Sequence, residues 1–397
     1  MADAQTLQAR WIDRAEDLAP LVPDWQALAE RVGAEVYMRP AWVQVWWDHF
    51  GADRQLACLV LREGEGRLVA VLPFVTERIW AGPVPLRLAR LAGTDPHCIV
   101  LRLAAEAAFA ETALRMAMLH LTGPLGCDAV SFTPLSDLAD HLAPLRAIGQ
   151  GTPGLALHEE GEGAHVVFNL PADFASWTAA LSKKRRSQFG RDQRALQDRY
   201  GMVATTRRPD GAGFAGFATF HDAQWQAQGR GGHFTDWPGS LAFYRDLADR
   251  AAAEPPVWFH ELAGPAGPLA TQFALLAGPV AHWRLPARTL DPEADRLSIG
   301  KVGLIGMIQS LIAAGVIRIE AGRGDYDYKL SYGGESVPVH RLLIYPAAGD
   351  GRLRLMLWGS DRLHLLYYRI WFLKLAPRVA RLRRPRPLWR RWIRSRV

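Results

Sequence analysis

Cysteine is scarce in this chain. Cys58, Cys98 and Cys127 are the only three in 397 residues, and they lie far apart with no CxxC pair. Neither a disulfide framework nor a thiolate zinc site is expected, and a reducing compartment is the simpler assumption. Metal-binding spacings such as HExxH are missing too, so no metal is expected. The GxxxxGK[ST] phosphate loop is absent, and no long heptad run announces a coiled coil. Long apolar runs are also lacking. LHLLYYRIWFLKL (Leu363 to Leu375) is broken by His364, Arg369 and Lys374, and it falls short of the ~20 apolar residues a spanning helix needs. The first eighteen residues, MADAQTLQARWIDRAEDL, hold acids and no apolar run, so no secretory leader is expected and the location reads as cytoplasmic.

Acidic residues are missing where basic ones are densest. Lys374 to Val397 carries ten basic residues and no acid, which leaves 37 basic and 40 acidic side chains before it. The basicity is therefore a property of a tail. Arg and Trp together suit an anionic membrane surface, so residues 374–397 are expected either to touch the inner face of a membrane peripherally, to be a solvated extension, or to bind nucleic acid weakly. No DNA partner is expected.

What is present is a chain 49% hydrophobic, long enough for two domains. A rough internal repeat runs through it. AWVQVWWDHF leads to QLACLVLRE, a GEG turn and RLVAVLPFVTE; SLAFYRDLADRAA leads to VWFHELA, GPAG and PLATQFALLA. Each half continues with a helix (FAETALRMAMLHL; KVGLIGMIQSLIAA), a glycine break and a strand (DAVSFTP; VIRIEAG). Short apolar runs between Gly and Pro read as strands, and the spacing of Leu304, Met307, Ile308 and Leu311 reads as a helix. An α/β (α+β) fold of two tandem units is the economical account. The glycine-rich stretch 148–163 is the expected boundary, giving domains over 1–150 and 164–346, with an extension over 347–397.

Three stretches can carry chemistry. In LSIGKVGLIGMIQSLIAAG, the loop Leu297, Ser298, Ile299, Gly300, Lys301, Val302 opens an apolar helix. Unpaired first-turn N–H groups and the helix dipole favour an anion there, and Lys301 adds a point charge; capping or packing is the plainer alternative. ALSKKRRSQFGRDQRALQDRYG, which contains Arg185 and Arg186, is either a solvated charged face or an electropositive helix beside an anionic substrate. FHDAQWQAQGRGGHFTDWPG, with His221 and Trp225, reads as a loop over an acceptor pocket or as ordinary surface.

Taken in order, these stretches resemble the CelD/BcsL-type acyltransferase domain of the GNAT superfamily, related to the FemABX-like tandem GNAT proteins. The resemblance is carried over about His165 to Ile344 by LSKKRRSQFGRDQRAL, WFHELAGPAGPLATQFALL, LDPEADRLSIGKVGLIGMIQSLIAAG and IRIEAGRGDYDYKLSYGG. The N-terminal half resembles the divergent first domain of such proteins. The resemblance implies two tandem GNAT-like domains, each a mixed sheet flanked by helices, with acetyl-CoA or another acyl-CoA as co-substrate. Leu297 to Val302 would hold its pyrophosphate, although Ile299 stands where the family usually has proline.

The implied activity is direct N- or O-acyl transfer to a sugar, polysaccharide precursor or lipid-linked saccharide. Alternatives are an aminoacyl-tRNA-dependent peptidoglycan-precursor transferase of FemABX type, the one reading with tRNA as partner, and a non-catalytic subunit of an exopolysaccharide assembly. Asp325 is the leading base, with His282, Asp291 and His221 behind it. Tyr326 or Tyr328 would donate to the thiolate. Lys329 would anchor an anionic group or keep Asp325 charged; a plain turn pairing is the alternative. Arg185, Arg186, His221, Trp225 and Asp291 are the expected substrate contacts. Trp42, Trp46 and Trp47 would wall an acceptor cleft or fill a core. The RGD tripeptide at Arg323 to Asp325 follows an expected buried strand, so an adhesion role is set aside.

Overall fold

The computed structural model describes residues 7–64, 66–80, 85–94, 98–227, 232–250 and 256–375. The chain divides into two units, Met1–Gly163 with Pro338–Val397, and Ala164–Val337. The polypeptide thus leaves the first unit, builds the second and returns.

In the first unit, β1 (Leu7–Ile12) precedes α1 (Val22–Val32) and α2 (Pro40–Phe50), both opened by proline in the first turn, where a missing N–H costs nothing. β2 (Gln55–Glu63), β3 (Arg67–Ile79) and β4 (Leu86–Leu91) follow. Then come the short β5 (Ala104–Ala105), α3 (Ala107–Thr122), β6 (Ala129–Ser131), β7 (Leu135–Ser136) and α4 (Leu142–Gly151). β1, β2, β3 and β4 pair antiparallel in that order, β6 joins β4 in parallel, and the late strand β14 pairs antiparallel with β6. β3 is buried along almost its whole length, as its near-continuous apolar run requires of a strand covered on both faces.

The second unit takes the end of β8 (Leu155–Asn169), then α5 (Phe174–Ala180), α6 (Lys183–Tyr200), β9 (Val203–Arg207), α7 (Gly211–Gln226), α8 (His233–Asp236) and α9 (Ser240–Arg250). A meander follows: β10 (Val257–Gly264), β11 (Gly267–Ala277) and β12 (Val280–Arg288). Next are α10 (Pro292–Arg296), α11 (Ile299–Ala313), β13 (Arg318–Arg323), α12 (Asp327–Leu330) and β14 (Glu335–Pro346), whose end returns to the first unit before α13 (Asp350–Leu363). β9 to β12 pair antiparallel in chain order, β13 joins β12 in parallel, and β8 pairs antiparallel with β13. The sequence of pairings is that of the first unit. This is the tandem α/β fold of mixed sheets flanked by helices.

Two local expectations change. The stretch 148–163 is not an open linker: residues to Gly151 end α4, and Leu155 onward forms β8. Its Gly and Glu residues suit a strand whose side chains stay half exposed. Trp42 and Trp46 are buried in the first unit, with Trp42 Nε1 donating to the Gly93 carbonyl at 3.3 Å. They are core, not a stacking platform. The basic tail from residue 376 lies outside the described residues.

Candidate functional site

β12 and β13 are paired only from Val280 to His282 against Arg318 to Glu320. Beyond His282 the ladder stops, and β12 carries a register irregularity opposite Phe273 and Ala274 of β11. Parallel strands that part in this way leave backbone and side chains of the departing strand free to face a cavity. A cavity of about 360 Å³ lies there, bordered by Trp283, Pro286 and Arg288 of β12, Gln272 of β11, Ser298, Gly300, Lys301 and Leu304 around the start of α11, and Tyr328.

Helix α11 is buried almost all round, including Leu304, Met307, Ile308 and Leu311, so it is fixed by packing rather than by an amphipathic stripe. Its N-cap Ser298 has φ 56° and makes no side-chain capping bond. A left-handed serine is a costly backbone state that persists where the surroundings impose it. Its carbonyl accepts from Lys301 N (2.8 Å) and Val302 N (3.1 Å). Within the expected loop the side chains divide: Ser298, Gly300 and Lys301 border the cavity, whereas Ile299 and Val302 are buried and, with Leu297, pack on Leu196, Leu262 and Ala270.

Gln272 and Trp283 were not foreseen. Both are over nine-tenths buried, and Gln272 Oε1 and Trp283 Nε1 have no hydrogen-bond partner among the described residues. Buried polar atoms are nearly always satisfied, so an unmet acceptor and an unmet donor on one cavity mark a place for a ligand or water. Gly303 makes room for the glutamine: a Cβ there would fall 2.9 Å from Gln272 Nε2. A lone glutamine in the apolar strand PLATQFALLA was the available signal.

The expected catalytic loop is reorganised. Tyr328 borders the cavity, with its ring edge-on to Trp283 at 6.3 Å and stacked on Tyr326 at 6.0 Å. Burial, with a smaller contribution from Tyr326, pushes its phenol up to about 12, so it keeps its proton at neutral pH. Lys329 does not border the cavity. It is buried, and its Nζ donates to the carbonyls of Ala321 (2.7 Å), Gly322 (3.3 Å), Arg323 (3.4 Å) and Gly324 (3.2 Å). It therefore ties down the loop that carries Tyr328. Burial draws its pKa down to about 8, against the opposing charges of Glu320 and Asp325. Asp325 is exposed and is not among the residues bordering the cavity.

His282 is buried beneath the point where the strands part, 4.0 Å from Glu320 Oε2. Glu320 in turn accepts from His165 Nδ1 (2.8 Å) and from Gly322 N (3.0 Å). Burial alone would raise this carboxyl, but the hydrogen bonds from His165 and Gly322 N help to bring it below its ordinary value. The three side chains pin the end of the β12–β13 ladder and do not border the cavity. No cluster that could hold a metal occurs among the described residues.

The expected substrate contacts are also engaged elsewhere. Asp291 caps α10 through Glu293 N (2.9 Å) and accepts from Tyr200 Oη (2.7 Å). Arg186 donates to the Leu181 carbonyl and to Ala179 O (2.9 Å), closing α5. Arg185 lies over the Tyr332 ring at 5.6 Å. His221 is buried and donates through Nδ1 to Pro286 O (2.9 Å); burial pulls its pKa to about 4. Trp225 is half-buried beside it, ring centroids 6.1 Å apart. Neither borders the cavity, whereas the neighbouring Gln224 does, and its Oε1 accepts from Arg288 N at 3.1 Å.

Comparison with known proteins agrees with this fold. Residues 183–330 match the family described as acetyltransferase (GNAT) domain. Among solved structures, the chain is similar to FemX, with TM-score 0.60 and 9% identity over 88% of this chain and 99% of that one. It is also similar to L-PGS from Bacillus licheniformis (0.51, 12%, 85% and 95%) and to a conserved protein of unknown function from Bacteroides thetaiotaomicron (0.50, 12%, 85% and 100%). At such identities these likenesses establish the fold. No curated protein matches the sequence. Residues 183–330 are thus similar to an acetyltransferase (GNAT) domain; the CelD/BcsL group is not singled out.

Proposed function

We propose that the protein is an acyl-CoA-dependent N- or O-acyltransferase acting on an amine or hydroxyl of a sugar, polysaccharide precursor or lipid-linked saccharide. The observation that carries the reading is the cavity at the start of α11. A left-handed serine, a glycine and a lysine stand at a helix N-terminus beside a space of about 360 Å³, within the range of small-molecule sites. Opposite them, Gln272 Oε1 and Trp283 Nε1 await partners, as amide groups of an extended ligand would provide. The residues present therefore fit such a co-substrate. Ser298 to Lys301 would hold its phosphates, and Gln272 and Trp283 its amides. Bound there, it would supply an acyl carbon activated as a thioester.

Tyr328 is the group whose chemistry suits the leaving side. Protonated at neutral pH, it would donate a hydrogen bond where negative charge develops on sulfur. The proton lost by the attacking amine or hydroxyl balances the thiol released. No side-chain nucleophile is needed, because positioning both reactants together is sufficient. Acetyl-CoA and longer acyl-CoAs should raise the melting temperature, and Gly300→Asp should abolish the rise. If no acyl-CoA stabilises the wild type, the reading falls; if aminoacyl-tRNA stabilises it instead, a FemABX-type transferase replaces it.

A further inference from the structure

Helix α13 continues as π-helical turns over His364–Leu375, and its two sides differ. Leu353, Met356 and Leu357 are buried with Leu86, Leu88, Leu343 and Tyr345 in the first unit's core. The other side faces solvent and mixes apolar with charged residues: Trp358 and Leu366 are 55% and 59% exposed, and Leu355, Leu365 and Ile370 are also exposed, among Arg352, Arg354, Arg362 and Arg369. Single exposed apolar residues are ordinary, but a row of five along one helical segment is a contact surface.

Charge selects the partner. From residue 350 to the end there are only two acids, Asp350 and Asp361. Both already hold arginines, Asp350 with Arg354 at 2.7 Å and Asp361 with Arg341 at 3.1 Å. Arg362 lies over the Trp358 ring at 5.7 Å, and Arg369 and Lys374 follow. Residues 376–397 add nine arginines and two tryptophans. A nucleic acid would match the arginines but leave Leu355, Leu365, Leu366 and Ile370 in water. An anionic lipid surface matches both, because aliphatic and indole groups enter the headgroup boundary while arginines meet the phosphates. No described helix is long and apolar enough to cross a membrane, so the segment would lie on it.

We propose that the outer face of residues 355–370 docks the protein on an anionic lipid bilayer, with Trp358 and Leu366 inserted at the headgroup level. The proposal is independent of the acyltransferase reading. Its test is sedimentation of the full chain with vesicles of phosphatidylcholine alone or mixed with phosphatidylglycerol. The mixed vesicles should retain the protein, added salt should release part of it, and the tryptophan emission should shift to the blue. Trp358→Ser with Leu366→Ser should keep the wild-type melting temperature, since both side chains are exposed, and weaken partitioning about tenfold or more. Equal binding by this double variant, or none by the wild type, overturns the proposal. So does binding to a homopolymeric RNA without vesicle binding, or a dimer that the double substitution dissolves in place of vesicle binding.

Discussion

Helix α3 of the first unit and helix α11 of the second occupy the same position in the same order of pairings, each leading into the strand that joins the sheet in parallel. Their starts differ. α3 begins after Glu106, whose carboxylate pairs with Arg31 (2.9 Å) and Arg67 (2.5 Å). α11 begins after left-handed Ser298, with Gly300 and Lys301 on a cavity of about 360 Å³. Bare N–H groups and a lysine attract phosphate, and Asp295, the acid that also borders this cavity, is paired with Arg288 at 2.6 Å. One scaffold thus supports a closed helix start and an open one, and the difference lies in a few side chains.

The largest expected effect concerns stability. Burial holds His141 in the first unit and His221 and His260 in the second at about 4. A histidine depressed from 6.5 stays neutral when folded while the unfolded chain takes up a proton. Its contribution is therefore complete above pH 6.5 and lost as pH falls towards 4, up to about 3 kcal/mol for each. The second unit, with two such residues, should lose more protection in hydrogen exchange over that window than the first, and His260→Gln should reduce the gap. Equal losses would break the contrast.

Within the second unit, Tyr328→Phe should lower kcat about 100-fold with little change in KM. Unchanged turnover in steady-state assays would remove the phenol from the chemistry. Gly300→Asp should weaken acyl-CoA binding at least tenfold, because it adds an acid to the open helix start. Sterically the position has room, as a Cβ there meets only Arg288 Cδ at 3.4 Å, so Gly300→Ala should bind nearly as wild type. The smallest effect belongs to the closed start: Glu106→Gln should cost roughly 1 kcal/mol in denaturant unfolding and leave turnover unchanged.

The fold was legible where its signals are local. Alternating runs between glycines and prolines marked the hairpins, helical spacing marked α11, and the repeated order of elements marked two similar units. Of β8 only the end, HVVFN, read as a strand; Leu155 to Gly163 was missed because Glu and Gly alternating on a half-exposed strand resemble a loop. In the site, the anion-favouring helix start and Tyr328 were accessible from residue type and neighbours. The burial of Lys329 was not, since it depends on how 321–324 curls its carbonyls around the ammonium. Glu320 went unnoticed because its partner His165 lies 155 residues away. Asp291 and Arg186 looked like substrate contacts by charge, yet helix ends consume them, a use that charge alone does not distinguish from binding.

Calorimetric titration of the full chain with acetyl-CoA tests the contrast between the two helix starts most directly. One bound molecule per chain, lost with Gly300→Asp and retained with Glu106→Gln, is the predicted result. Two molecules per chain, or one that survives Gly300→Asp, would contradict it.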